Sequence, residues 1–155
     1  MTTIVLPEGA PEEVVTNALV RDVDLSAFGA TGTLALITLD NGHDHTRPNT
    51  FGPHSLTALD AAITEAISRK PAAIAITGKP FIFAAGADLS ALSFLNDRSQ
   101  AVAIGKLGHD VFRRLDECGI PTFAFINGLA LGGGLEVGLH CKYRTLSATA
   151  FTGLP

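Results

Sequence analysis

Residues 126–141 read INGLALGGGLEVGLHC, and the fold turns on how this stretch is read. Three consecutive glycines, Gly132 to Gly134, separate an apolar run from a short apolar helical pattern that contains Glu136. Glycines at that junction let backbone approach a ligand closely, because no Cβ intervenes. They also leave unpaired N–H groups at a helix N-terminus, where the dipole favours negative charge. Upstream, residues 81–90 read FIFAAGADLS, a second small-residue turn on the end of an apolar run. The two turns are expected to face one another and to hold an anion between them, with Glu136 alongside.

The kind of anion narrows by elimination. In the dinucleotide pattern G-x-G-x-x-G, Gly132 and Gly134 fit, but Val137 stands where the third glycine belongs and Gly138 comes one residue late. No Gly-Lys-Ser/Thr follows, so the phosphate loop of nucleotide hydrolases is absent. What remains is a transient oxyanion, which needs two N–H donors aimed at one point. Glu136 carries two readings. With Gly133 as N-cap it stands at N3, where a carboxylate pairs with the first N–H groups of the helix. Its neighbours Leu131, Leu135, Val137 and Leu139 are all apolar, which also suits a carboxylate that moves a proton. Asp88 likewise reads as a local cap of its turn. No G-x-S-x-G is present, and the adjacent pairs His109–Asp110 and His140–Cys141 read as structural.

Outward from these turns the chain alternates strands and helices. Leu19 to Leu25 and Leu34 to Leu39 read as a hairpin, and Asp40 to Phe51 as a loop whose His43, Asp44 and His45 are a solvated cluster, not a metal site. A helix follows over 53–69, with Leu56, Leu59, Ile63 and Ile67 in one stripe and Pro71 as its stop. Residues 72–77 and 122–126 are apolar without alternation, the pattern of strands covered on both faces. A long helix is expected over 97–117, a short one from the glycines to about Cys141, and a strand near 143–147. The first 16 residues lack a period and read as a flexible N-terminal extension. The order defines an α/β fold in stacked layers.

Bulk properties agree. The 155 residues are 46% hydrophobic and 17% charged, with net charge −4, so the chain is globular and no Lys/Arg cluster offers itself to nucleic acid. Two cysteines are too few for a disulfide framework, no basic leader precedes an apolar core, and no apolar run approaches the ~20 residues of a membrane span. A cytoplasmic location is the expectation.

The motifs FIFAAGADLS (81–90), INGLALGGGLEVGLHC (126–141) and AFTGLP (150–155), with weaker similarity over 47–63, resemble the enoyl-CoA hydratase/isomerase, or crotonase, superfamily. The resemblance implies a crotonase-like spiral of strand–strand–helix units, of which residues 17–155 are the N-terminal portion, incomplete at the C-terminus. It implies an acyl-CoA thioester as substrate, with no separate cofactor and no metal. The thioester oxygen maps onto backbone N–H groups of Ala87 and Gly133. The acyl-CoA site maps onto Ala85, Ala87, Asp88, Leu89, Ser90, Gly132 and Gly133, and one acid/base carboxylate onto Glu136. A second carboxylate is expected just past Pro155. The activity implied is hydration of 2-enoyl-CoA in fatty-acid β-oxidation, within a trimer-based homo-oligomer or a multifunctional complex whose alpha subunit the N-terminal portion resembles. The alternatives are double-bond isomerisation, another crotonase reaction, or acyl-CoA binding without catalysis. Family isomerases commonly lack the first glutamate, so Glu136 favours hydration.

Overall fold

The computed structural model describes residues 9–90 and 98–155. The chain winds in strand–strand–helix turns. The first is β1 (Asn17–Asp24), β2 (Thr33–Asp40) and α1 (Pro53–Ser68). The second is β3 (Ala73–Gly78), β4 (Phe81–Ala84) and α2 (Arg98–Glu117). The third is β5 (Thr122–Ile126), β6 (Gly128–Leu131) and α3 (Gly133–His140), and a fourth begins with β7 (Tyr143–Leu146) and β8 (Phe151–Gly153). The larger sheet has the order β1-β2-β3-β5-β7, and the smaller one the order β4-β6-β8. From the second turn on, each turn lays its first strand in the large sheet and its second strand in the small one. All neighbours are parallel except the β1–β2 hairpin, which pairs Asn17 with Asp40 and Asp24 with Thr33.

Local chemistry accounts for most boundaries. α1 starts at Pro53, where a missing N–H costs nothing, and ends before the left-handed Lys70 and Pro71. Its stripe of Leu56, Leu59 and Ile63 is buried against Ile37, Leu39, Ile74 and Ile76 of the sheet and Phe112 and Leu115 of α2. β3 is covered on both faces, as its unbroken apolar run requires. The long helix begins among the described residues at Arg98, and Asp97 lies outside them. The small sheet was not foreseen. GLAL is a glycine-led strand of four residues, and FTG one of three, both too short for a period to register. The signal that marks the corner is Asn127-Gly128. Asn127 accepts from the Gly78 N–H at 3.1 Å and donates to the carbonyls of Gly78 (3.1 Å) and Lys79 (2.7 Å), so it clips the β5–β6 corner onto the β3–β4 corner.

The expected N-terminal extension needs a correction from Glu13 onward; residues 1–8 lie outside the described residues. Glu13 is buried, and its carboxylate accepts from the His54 and Ser55 N–H groups, both at 2.8 Å, and from the Ser55 hydroxyl. It caps α1 from a distance, because Gly52 at the cap position has no side chain to do so. Thr16, 1% exposed, donates its hydroxyl to the Thr50 carbonyl and its N–H to the Ser55 hydroxyl. Glu13→Ala removes this cap and leaves buried donors unpaired, so it is expected to cost about 1–3 kcal/mol. The midpoint of denaturant unfolding checks this; an unchanged midpoint would show that water replaces the carboxylate without loss.

Both cysteines are free thiols, Cys141 buried and Cys118 half-buried. Burial pushes the Cys141 thiol up to about 12, so it stays protonated at neutral pH. Among the described residues no helix is long and apolar enough to cross a membrane, and no cluster of His, Cys, Asp and Glu is arranged to hold a metal ion.

Candidate active site

The two glycine turns lie at the C-terminal ends of neighbouring parallel strands, β4 and β6. β4 leads into Ala85–Asp88 and β6 into Gly132–Gly134. Gly86 holds φ 89° and Gly132 φ 49°, a region that residues with a Cβ seldom enter. The turns touch: a Cβ on Gly86 would lie 3.3 Å from the Gly133 nitrogen and 3.1 Å from the Leu131 carbonyl oxygen. At Gly134 a Cβ would meet the Ala84 carbonyl oxygen at 2.0 Å, so only glycine lets α3 seat this closely on β4. The run of three glycines and the Gly86 turn are therefore pressed together, as the sequence led one to expect.

Hydrogen bonds fix the direction of each donor. Ala87 bridges Phe51 in parallel fashion: the Phe51 N–H donates to the Gly86 carbonyl at 2.8 Å, and the Asp88 N–H donates to the Phe51 carbonyl at 3.0 Å. In such a bridge the middle residue turns its own N–H to the other side. The Ala85 N–H is taken by the Asn49 carbonyl at 2.7 Å. Gly132 donates to the Gly153 carbonyl at 2.9 Å, and its own carbonyl accepts from Glu136 at 3.0 Å. Gly133, the first residue of α3, has no partner inside the helix. Neither the Ala87 nor the Gly133 N–H meets an acceptor among the described residues.

Glu136 departs from the cap reading. The N-cap is Gly132, which places Glu136 at N4 instead of N3, and no side chain caps this helix. Its carboxylate makes no hydrogen bond or ion pair with the described residues, and its Oε2 lies 3.8 Å from the position of a Cβ on Gly133. It faces a cavity of about 150 Å³ lined by Phe51, Leu56, Ala87, Phe112 and Gly133 and by one side of α2 (Ile104, Gly105, Gly108 and His109). Asp88 does act as a local cap, accepting from the Ser90 N–H at 3.0 Å and hydroxyl at 2.6 Å, so its carboxylate is engaged. Leu89 is 69% exposed beside it. His109, read from the sequence as structural, lines this cavity. α2 packs on α3, and the His109 ring stands 6.5 Å from that of His140, whose Nδ1 lies 2.9 Å from the Glu136 carbonyl oxygen. The histidines and Asp44 of the 40–51 loop lie elsewhere, around Lys79 and Phe81.

The strand–strand–helix spiral thus sets two touching glycine turns beside the Glu136 carboxylate. The family model described as Enoyl-CoA hydratase/isomerase matches residues 29–155, and the chain belongs to that family. It is 36% identical over 118 residues to the fatty acid oxidation complex subunit alpha of Shewanella frigidimarina, covering 74% of this chain and 16% of that protein. Among solved structures, an enoyl-CoA hydratase from Bacillus anthracis superposes with TM-score 0.74 at 26% identity, over 89% of this chain and 50% of that one. DspI from Pseudomonas aeruginosa gives 0.73 at 29% identity, over 96% and 56%. The chain thus spans about half the length of these solved relatives and about a sixth of the alpha subunit.

Proposed function

We propose that this chain carries the oxyanion half of a site that adds water across the double bond of a 2-enoyl-CoA thioester, giving the 3-hydroxyacyl-CoA. The observation that carries the reading is that, among the described residues, the Ala87 and Gly133 N–H groups on touching turns and the Glu136 carboxylate beside them have no hydrogen-bond partner. Water attack at the β-carbon pushes the π electrons toward the carbonyl, and negative charge collects on the thioester oxygen. Two fixed donors in a water-poor pocket stabilise that charge at no cost of reorganisation. Glu136 takes a proton from the attacking water, and the carboxylic acid expected past Pro155 delivers a proton to the α-carbon as the carbonyl reforms, so the elements of water are added across adjacent carbons. The family resemblance implies a second carboxylate just past Pro155, and the Gly132–Gly153 hydrogen bond, which keeps the end of β8 against the glycine turn, is compatible with it. Backbone of Ala85 and of Asp88 to Ser90 borders the pantetheine and adenine end. The reaction needs no cofactor beyond the coenzyme A of the substrate. Relatives named as subunits of a fatty acid oxidation complex favour a role in β-oxidation within such a complex or a homo-oligomer.

The test uses the full-length protein. Crotonyl-CoA should lose its conjugated absorbance as 3-hydroxybutyryl-CoA accumulates. Binding without water addition, together with conversion of a 3-enoyl thioester to the 2-enoyl isomer, would overturn hydration in favour of isomerisation.

A further inference from the structure

Lys79 sits in the corner between β3 and β4 and is 4% exposed. It forms no salt bridge with the described residues. Its three ammonium protons go instead to the Asn41 side-chain oxygen, the His43 carbonyl (2.8 Å) and the Arg47 carbonyl (2.7 Å). An ammonium has three donors, so this one is saturated and has nothing left for a ligand. Burial pushes its pKa below the ordinary lysine value, and the charges of Asp40 and Asp44 pull it back up. A buried cation committed to a loop whose residues 42–47 are exposed calls for a reason.

The reason follows from what the loop holds. Asn41, gripped by Lys79, donates from its side chain to the Pro48 carbonyl at 2.9 Å, and its N–H goes to the Asn49 side-chain oxygen at 3.1 Å. Asn49 is fully buried, and its amide donates to the Leu39 carbonyl of β2 (2.9 Å) and the Phe83 carbonyl of β4 (3.1 Å). Its backbone carbonyl takes the Ala85 N–H, and two residues on, Phe51 fixes Gly86 and Asp88. Among the described residues, the backbone hydrogen bonds of the Ala85–Asp88 turn thus all go to Asn49 and Phe51, and the loop leading to them is gathered by Lys79. The backbone of Lys79 is itself clamped, its N–H by Leu39 and its carbonyl by Asn127 and Ile82.

We infer that Lys79 is a positioning residue: through Asn41 and Asn49 it sets the direction of the Ala87 N–H and so the geometry of one arm of the oxyanion site. The inference rests on the function proposed above. The experiment uses the full-length protein and cinnamoyl-CoA, whose absorption moves to longer wavelength as its carbonyl oxygen takes up negative charge. Lys79→Met should bind it within about threefold of the unsubstituted protein yet lose more than half of the red shift, with kcat for crotonyl-CoA down ~10²-fold, the effect of misplacing a reacting group by about 1 Å. Arg114→Met, which breaks the Arg114–Asp60 contact between α2 and α1, is the control for lost stability and should keep the shift. Asn41→Ala breaks the same relay more mildly and carries the test if Lys79→Met does not fold. A full red shift and normal kcat in Lys79→Met, or in Asn41→Ala where it stands in, would overturn the inference and leave Lys79 a stability residue. Absence of any shift in the unsubstituted protein would instead overturn the oxyanion reading, and the role of Lys79 with it.

Discussion

Glu136→Gln in the full-length protein is expected to lower hydration of crotonyl-CoA by ~10²–10⁴-fold while affinity for acyl-CoA stays within a few-fold. The substitution is nearly isosteric and exchanges only the ability to take a proton. Its structural side effects are small for a specific reason: the carboxylate has no hydrogen-bond partner among the described residues, so no buried group is left unpaired. The loss of a negative charge in the first turn of α3 costs at most ~1 kcal/mol. A large drop in turnover with an unchanged melting temperature would therefore be chemical in origin. Activity within a few-fold of the unsubstituted enzyme would reduce Glu136 to a favourable charge at a helix start.

Gly133→Pro probes the other half of the site and should cost ~10²–10³-fold in kcat, the usual effect of removing one oxyanion donor. Position 133 suits this substitution. It is the first residue of α3, where proline is tolerated because the N–H has no helical acceptor. A Cβ there would meet its nearest neighbours, Gly86 Cα at 3.7 Å and Glu136 Oε2 at 3.8 Å, in ordinary contact. Gly133→Ala is the matched control, adding the Cβ but keeping the donor, and should retain most of the activity. Equal activities in the proline and alanine variants would mean that Gly133 donates nothing to the substrate.

Much of this arrangement was legible in the sequence because it depends on short-range chemistry. The stripe of α1, the unbroken apolar strands β3 and β5, and the glycine turn before Glu136 all carry their signal within a few residues. The facing of the two turns was also legible, since the chain has only two small-residue turns at the ends of apolar runs. What stayed hidden depends on distant partners. β6 and β8 are too short to show a period; β6 pairs on the edge of β4, and β8 on the edge of β6. Glu13 and Thr16 lie in a stretch of loop composition and are fixed by the start of α1, some 40 residues away. The loop over 40–51 reads as solvated, and residues 42–47 are exposed, yet Asn41 is buried under the Lys79 ammonium and Asn49 is buried with its amide on the Leu39 and Phe83 carbonyls. Glu136 falls at N4 because the helix starts one residue earlier than the cap reading assumed, at a Gly132 whose left-handed φ the letters alone cannot specify.

The convergence of the Ala87 and Gly133 N–H groups on one oxygen is best tested by the carbonyl stretch of bound crotonyl-CoA carrying ¹³C at the thioester carbon, taken as an isotope-edited infrared difference spectrum. In the unsubstituted full-length protein the band should fall well below its position in water, and Glu136→Gln should preserve that displacement. In Gly133→Pro it should lose a large part of it. A bound carbonyl that absorbs where the free thioester does, with binding independently confirmed, would contradict an oxyanion site at these two turns.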